Sequence, residues 1–114
     1  MKRRQRLTRS RDFDAVYRRG RSVATRYLIL HWFARDDDDE GPARLGIAVP
    51  RAVGNSVLRN RIKRQLREAW RAEPPAAACD YVLVVRPGLP ETVEARGFAW
   101  LQERIAEVLG KAAA

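Results

Sequence analysis

Basic side chains crowd the stretch from Asn55 to Arg71, and their spacing suits one kind of chemistry, the binding of a polyanion. At about 100° per residue, Leu58, Ile62, Leu66, Ala69 and Trp70 share one arc of a helix. Asn60, Arg61, Lys63, Arg64, Arg67 and Arg71 share the remaining arc, with Glu68 the single acid among them. Such a helix buries one face and holds a cationic ridge toward solvent. Arginine adds a planar fork for phosphate oxygens and a flat surface for bases. Asn55 or Ser56 can cap the first turn, and Pro74-Pro75 cannot continue the helix.

Residues suited to covalent, acid–base or metal chemistry are few. His31 is the only histidine, so neither a histidine-pair metal site nor a histidine relay is available; it reads as a strand residue facing cleft or solvent. Asp36 to Glu40 set five acids in a row, but adjacent carboxylates in a loop carry no ligand geometry, and the run reads as a solvated tip. Gly54 ahead of the basic helix invites an anion at the helix N-terminus, a weak signal on its own. No glycine-rich phosphate loop with a Lys-Ser/Thr signature precedes a helix. The single Cys79 permits no internal disulfide and fits a reducing compartment. The expectation is a protein with no catalytic residue and no metal site of its own.

The whole chain of 114 residues reads as one domain, 1–114, with a modest core. Its 23 basic and 14 acidic residues leave a net charge of +9, which calls for a polyanionic partner. Nucleic acid is the first candidate and an anionic membrane the second. No apolar run approaches the ~20 residues of a spanning helix, and none follows the basic N-terminus, so a soluble cytoplasmic protein without a membrane partner is expected.

Residues 1–9 read as a basic, flexible arm. Ser10 caps a short helix that runs to Arg19 and ends at Gly20, with Phe13, Val16 and Tyr17 on one face. Thr25 to Ala34 reads as a strand, 36–42 as an acidic loop, and Arg44 to Val49 as a second strand, together an antiparallel hairpin. Tyr81 to Val85 is a near-continuous apolar strand, as burial on both faces requires, and the strand–helix–strand order predicts parallel pairing across the basic helix. Arg86 to Pro90 reads as an exposed loop. A last helix runs from Glu91 to Leu109 and closes at Gly110, with Phe98, Leu101, Ile105 and Val108 inward. Gly97 within it costs ~1 kcal/mol in propensity, which points to close packing there. The order α-β-β-α-β-α predicts a small α+β sandwich.

The segments Arg44-Leu45-Gly46-Ile47-Ala48-Val49, Gly54-Asn55-Ser56-Val57, Arg59-Asn60-Arg61-Ile62-Lys63-Arg64 and Arg67-Glu68 resemble the bacterial ribonuclease P protein family. Arg11-Asp12-Phe13 and Val16-Tyr17-Arg18-Arg19-Gly20 resemble that family's first helix, so the likeness spans Leu7 to Trp70 with Arg-Asn-Arg its most specific part. The resemblance implies a fold similar to the second domain of ribosomal protein S5, with the basic helix in a left-handed βαβ crossover, a hand opposed to about 98% of such connections. It implies an endoribonuclease built from one RNA and this one small protein, which removes the 5′ leader from precursor tRNA and takes no small-molecule substrate. The catalyst would be the RNA with bound Mg²⁺, and the protein would aid RNA folding, metal affinity and leader recognition.

On that resemblance Arg59, Asn60, Arg61, Lys63, Arg64, Arg67 and Arg71 would contact the catalytic RNA through phosphates. Phe13, Tyr17 and Arg51 would line a cleft for the single-stranded leader, where aromatic faces suit stacking on any base. Plain packing of the first helix on the sheet is the structural alternative for the two aromatics. Pro50-Arg51-Ala52 stands where the family usually carries Ser-Lys-Lys, so one positive charge is kept and one is lost. The acidic run is also heavier than the family pattern and should point away from RNA. Two other readings compete: a ribosomal-type structural RNA-binding protein, and a protein-only nuclease using the Asp run with Mg²⁺.

Overall fold

The structure is a computed structural model that describes residues 6–7, 10–35, 43–72, 75 and 79–113. Its elements are α1 (Ser10–Arg19), β1 (Arg21–Ala24), β2 (Leu28–Ala34), β3 (Arg44–Ala48), a single turn at Arg51–Val53, α2 (Ser56–Ala72), β4 (Cys79–Val85), α3 (Leu89–Arg96) and α4 (Phe98–Ala113). The acidic loop 36–42 and most of the basic arm lie outside the described residues.

The four strands form one mixed sheet in the order β1-β2-β4-β3. The expected hairpin between β2 and β3 is not formed. β4 lies between them, antiparallel to β2 (Leu28 opposite Val85) and parallel to β3 (Leu45 opposite Tyr81). The physical reason is burial. β4 is the most apolar strand, and only the sheet centre covers both of its faces, leaving Asp80 to Leu83 and Val85 buried. The hairpin partner of β2 is instead β1, joined by a turn in which Thr25 exchanges hydrogen bonds with Leu28. The parallel β3–β4 pairing across α2 is as predicted.

Alternation sorts the side chains onto two faces. Leu28, Leu30, Leu45, Tyr81, Leu83 and Val85 meet α2, α3 and α4 in the larger core with Ile62, Leu66 and Trp70. Val82 meets Leu7 and Val16 under α1 in the smaller one, with Phe13, Phe33, Ala48 and Val84 packed around them. The sheet is thus covered by α1 on one side and by the other three helices on the other.

The expected last helix is two helices. Gly97, with φ +93° and ψ 175°, lies in a region open almost only to glycine, and it separates α3 from α4. A Cβ there would meet nothing within 4 Å, so backbone conformation and not close packing is what the position requires. Leu89 and Pro90, expected in an exposed loop, open α3 and are buried in the core. α4 also runs through Gly110 to Ala113.

Candidate nucleic-acid interface

α2 starts where Asn55 Oδ1 accepts the Leu58 backbone N–H at 2.9 Å, the side-chain cap its first turn needs. Ile62, Leu66, Ala69 and Trp70 anchor its inner face, and Trp70 packs edge-on against Tyr81 with ring centroids 5.2 Å apart. The ridge is therefore carried on a rigid support. Asn60, Lys63, Arg64 and Arg67 come together around a groove of about 390 Å³ that Arg6 and Glu68 complete. Arg61 does not join them: it turns toward α3 beside Gln65, Pro90 and Glu94. Arg59 is half-buried with its Nε enclosed and without a hydrogen-bond partner, and Arg71 is exposed in the last turn.

Arg6 is the member of this group that sequence reasoning placed elsewhere, in a flexible arm. It forms a parallel bridge with Leu45, the Leu7 N–H donates to the Leu45 carbonyl at 2.9 Å, and Leu7 is buried. Arg6 and Leu7 are thus tied to the edge of β3, and the rest of the arm lies outside the described residues. The signal was present in Leu7, an apolar residue in a basic run. Burial, and then the charge of Arg6, pull the Arg67 pKa below its ordinary value. Like charges held this close favour an anion between them.

A second surface lies on the opposite face of the sheet. Phe13 and Tyr17 project from α1 with ring centroids 6.5 Å apart, and Tyr17 meets the His31 ring edge-on at 4.8 Å. Gly46 makes room for this arrangement: a Cβ there would come within 2.5 Å of the Phe13 ring and 3.2 Å of Leu7 Cβ. Tyr17 is 42% exposed, so its ring is available to a ligand. Burial raises the Tyr17 pKa and lowers that of His31, which keeps both rings neutral near pH 7. Arg51 is exposed in the turn after β3, the strand whose Ala48 packs, like Phe13, against the small core of Leu7, Val16 and Val82. α1 is fixed to the sheet by Asp12, 3.7 Å from Arg44, which in turn is paired with the buried Asp80.

Among the described residues no three His, Cys, Asp or Glu side chains are grouped so as to hold a metal ion. No described helix is long and apolar enough to cross a membrane.

A cationic ridge on α2 and half-exposed aromatic rings on the opposite face of the sheet mark a small, strongly basic α+β protein whose surface suits a polyanion. The family model for Ribonuclease P matches residues 1–113, and the chain belongs to that family, the protein component of the endoribonuclease of tRNA processing. It is 43% identical over 108 residues to the ribonuclease P protein component of Acidothermus cellulolyticus, covering 95% of this chain and 88% of that one. The protein component of Gluconacetobacter diazotrophicus is 42% identical over 110 residues, with 94% and 90% covered. The solved ribonuclease P protein of Staphylococcus aureus superposes with a TM-score of 0.81 at 29% identity, over 95% of this chain and 94% of that one. The Thermotoga maritima protein gives 0.79 at 29% identity over 95% and 97%.

Proposed function

We propose that this chain anchors the catalytic RNA of ribonuclease P on α2 and guides the 5′ leader of precursor tRNA along α1, in the cytoplasm. Arg59, Asn60, Arg61, Lys63, Arg64, Arg67 and Arg71 bind phosphates of the catalytic RNA, and Arg6 extends that surface. Phe13, Tyr17 and Arg51 hold the leader, the rings stacking on bases and the guanidinium meeting the backbone. The observation that carries this reading is that α1 and α2 cover opposite faces of one sheet, so two RNA segments can be bound at once.

The described residues do not fit a magnesium centre. Asp80, the buried carboxylate, is taken up by Arg44 and Arg35, its neighbour Asp12 is held by the same Arg44, and among the described residues no three metal-ligating side chains are grouped. On this proposal the Mg²⁺ of the reaction is the RNA's. The protein's share is to neutralise phosphates that would otherwise repel as the RNA folds around its substrate.

The test is reconstitution. Purified protein is added to the cognate catalytic RNA at low Mg²⁺ and leader removal from precursor tRNA is followed. Cleavage is expected only with RNA present and is expected to rise with protein. Cleavage by protein alone would favour a protein-only nuclease, and RNA binding without stimulation would favour the ribosomal-type reading.

A further inference from the structure

Arg26 meets Arg96 and Arg104, some seventy residues further on, at the corner of the molecule where the β1–β2 turn meets α3 and α4. Arg26 and Tyr27 come from the turn, Arg96 ends α3, and Trp100, Arg104 and Glu107 form one stripe of α4. Together they line a cavity of about 290 Å³. The aromatic pair is the floor: Tyr27 and Trp100 meet edge-to-face, centroids 5.1 Å apart and planes at 80°. Each ring carries a guanidinium, Arg26 at 5.3 Å over Tyr27 and Arg104 at 5.2 Å over Trp100.

A guanidinium over a ring is held by its face, while its N–H donors point outward in the plane. Arg104 also encloses its Nε without a hydrogen-bond partner. Its only ion pair among the described residues is with Glu103 at 3.8 Å, through a terminal nitrogen. Glu107 is the one carboxylate in the lining, against three guanidiniums. Lys111 lies one turn further along the same stripe, outside the lining, and donates to the Ala24 carbonyl oxygen at 3.3 Å. Guanidiniums held over rings in a net positive field suit an oxyanion that accepts several hydrogen bonds at once.

We propose that this pocket is a second RNA attachment point, which grips a backbone phosphate of an RNA strand independently of α2. The inference rests on the RNA partner proposed above. The two places are separate. Arg6 and the α2 groove flank β3, whereas Arg26 and Tyr27 join β1 to β2, and those strands lie at opposite ends of the sheet order. Three strand spacings set them about 14 Å apart at the least. The stripe Trp100–Arg104–Glu107 also differs from the face that α4 turns toward α2, where Ala99, Gln102 and Ala106 lie. Gly97 separates α3 from α4, and Arg96 and Trp100 line the pocket from the two sides of that break.

The test measures binding of the cognate catalytic RNA across a salt series for the wild type, for Arg26→Gln with Arg96→Gln and Arg104→Gln, for the same three positions changed to Lys, and for Arg64→Ala. Thermal melts accompany each protein. The glutamine set is expected to bind roughly tenfold more weakly. Its log–log salt slope should fall by about 0.7–0.9, one phosphate contact. The lysine set should restore the slope but not the full affinity. Nucleotide protection lost in the glutamine set should differ from that lost in Arg64→Ala. An unchanged slope in the glutamine set beside a reduced one in Arg64→Ala overturns this pocket and leaves the proposed function standing. A lysine set as defective in slope as the glutamine set overturns it too, since the role would then be structural. If neither the glutamine set nor Arg64→Ala alters RNA binding, both proposals fail together.

Discussion

Arg44 grips Asp80 through two parallel hydrogen bonds, Nε to Oδ1 at 2.8 Å and a terminal nitrogen to Oδ2 at 2.7 Å. The Asp80 side chain is 6% exposed, and Arg35 reaches the same Oδ1 at 3.2 Å. This carboxylate joins the ends of β2, β3 and β4, and through Asp12 it fixes α1 as well. Removing one partner of such a buried group leaves the others desolvated and unbalanced. Asp80→Ala should cost about 3 kcal/mol, read from the urea midpoint at constant m-value. A loss under about 0.5 kcal/mol would mean that the arginines hold the sheet without it.

Arg64 is exposed on the ridge and lines the α2 groove. Arg64→Ala should weaken RNA binding and lower the salt slope by up to about one counterion, with no change in melting temperature. An unaltered slope would count against a phosphate contact at this position.

Phe13→Ala should weaken binding of precursor tRNA to the assembled holoenzyme and leave mature tRNA nearly unaffected, because only the precursor carries a leader. Gly46→Ala should act in the same direction, since the added methyl group displaces the Phe13 ring. Equal losses for both tRNAs would assign the effect to folding.

Tyr81 titrates unusually. Burial first, and then its neighbour Cys79, push its phenol from the ordinary 10.0 up to about 12. The fold disfavours the phenolate, so Tyr81 contributes its full stabilisation below pH 10 and loses it as the pH rises through about 12. Denaturation between those limits should show a decline of about 2 kcal/mol that Tyr81→Phe abolishes. A decline of equal size in the phenylalanine variant would assign it to other groups.

Two glycines of the C-terminal segment should respond with opposite signs. Gly97→Ala forces a side chain into a region nearly closed to it and should cost about 1–3 kcal/mol. Gly110→Ala, in a helix with open space around the position, should stabilise by about 0.5–1 kcal/mol. Thermal melts of the two variants decide the matter, and a stabilised Gly97→Ala would show that α3 and α4 can merge.

The parts of this protein that were legible in its sequence are those governed by local periodicity. The 3.6-residue repeat of Ile62, Leu66, Ala69 and Trp70 marks α2 and its ridge, and Asn55 marks its start. The near-continuous apolar run from Tyr81 to Val85 marks β4 as a strand buried on both faces. What was illegible depends on where strands go. Adjacency in sequence suggests β2 beside β3, whereas the demand to cover β4 on both sides separates them. β1 is four residues with a largely exposed pattern, too short and too polar to signal a strand alone. Gly97 sits in a helical run and looks like a tolerated glycine until its φ is known. In the pocket of Arg26, Arg96 and Arg104 the helical spacing of Arg96, Trp100, Arg104 and Glu107 is local, but that Arg26 and Tyr27 meet them depends on the tertiary fold.

Among the described strands β4 is the last to leave the ribosome and the one that touches both β2 and β3. Leu28 waits for Val85, and Leu45 waits for Tyr81. Until that segment is made, every residue of α2 exists but the surface it rests on does not. Such non-local pairing slows folding and ties the N-terminal half to the C-terminal half in one cooperative step. A chain stopped before Cys79 would keep the entire ridge and lose its platform, so a truncation outside the ridge abolishes the protein as surely as one within it.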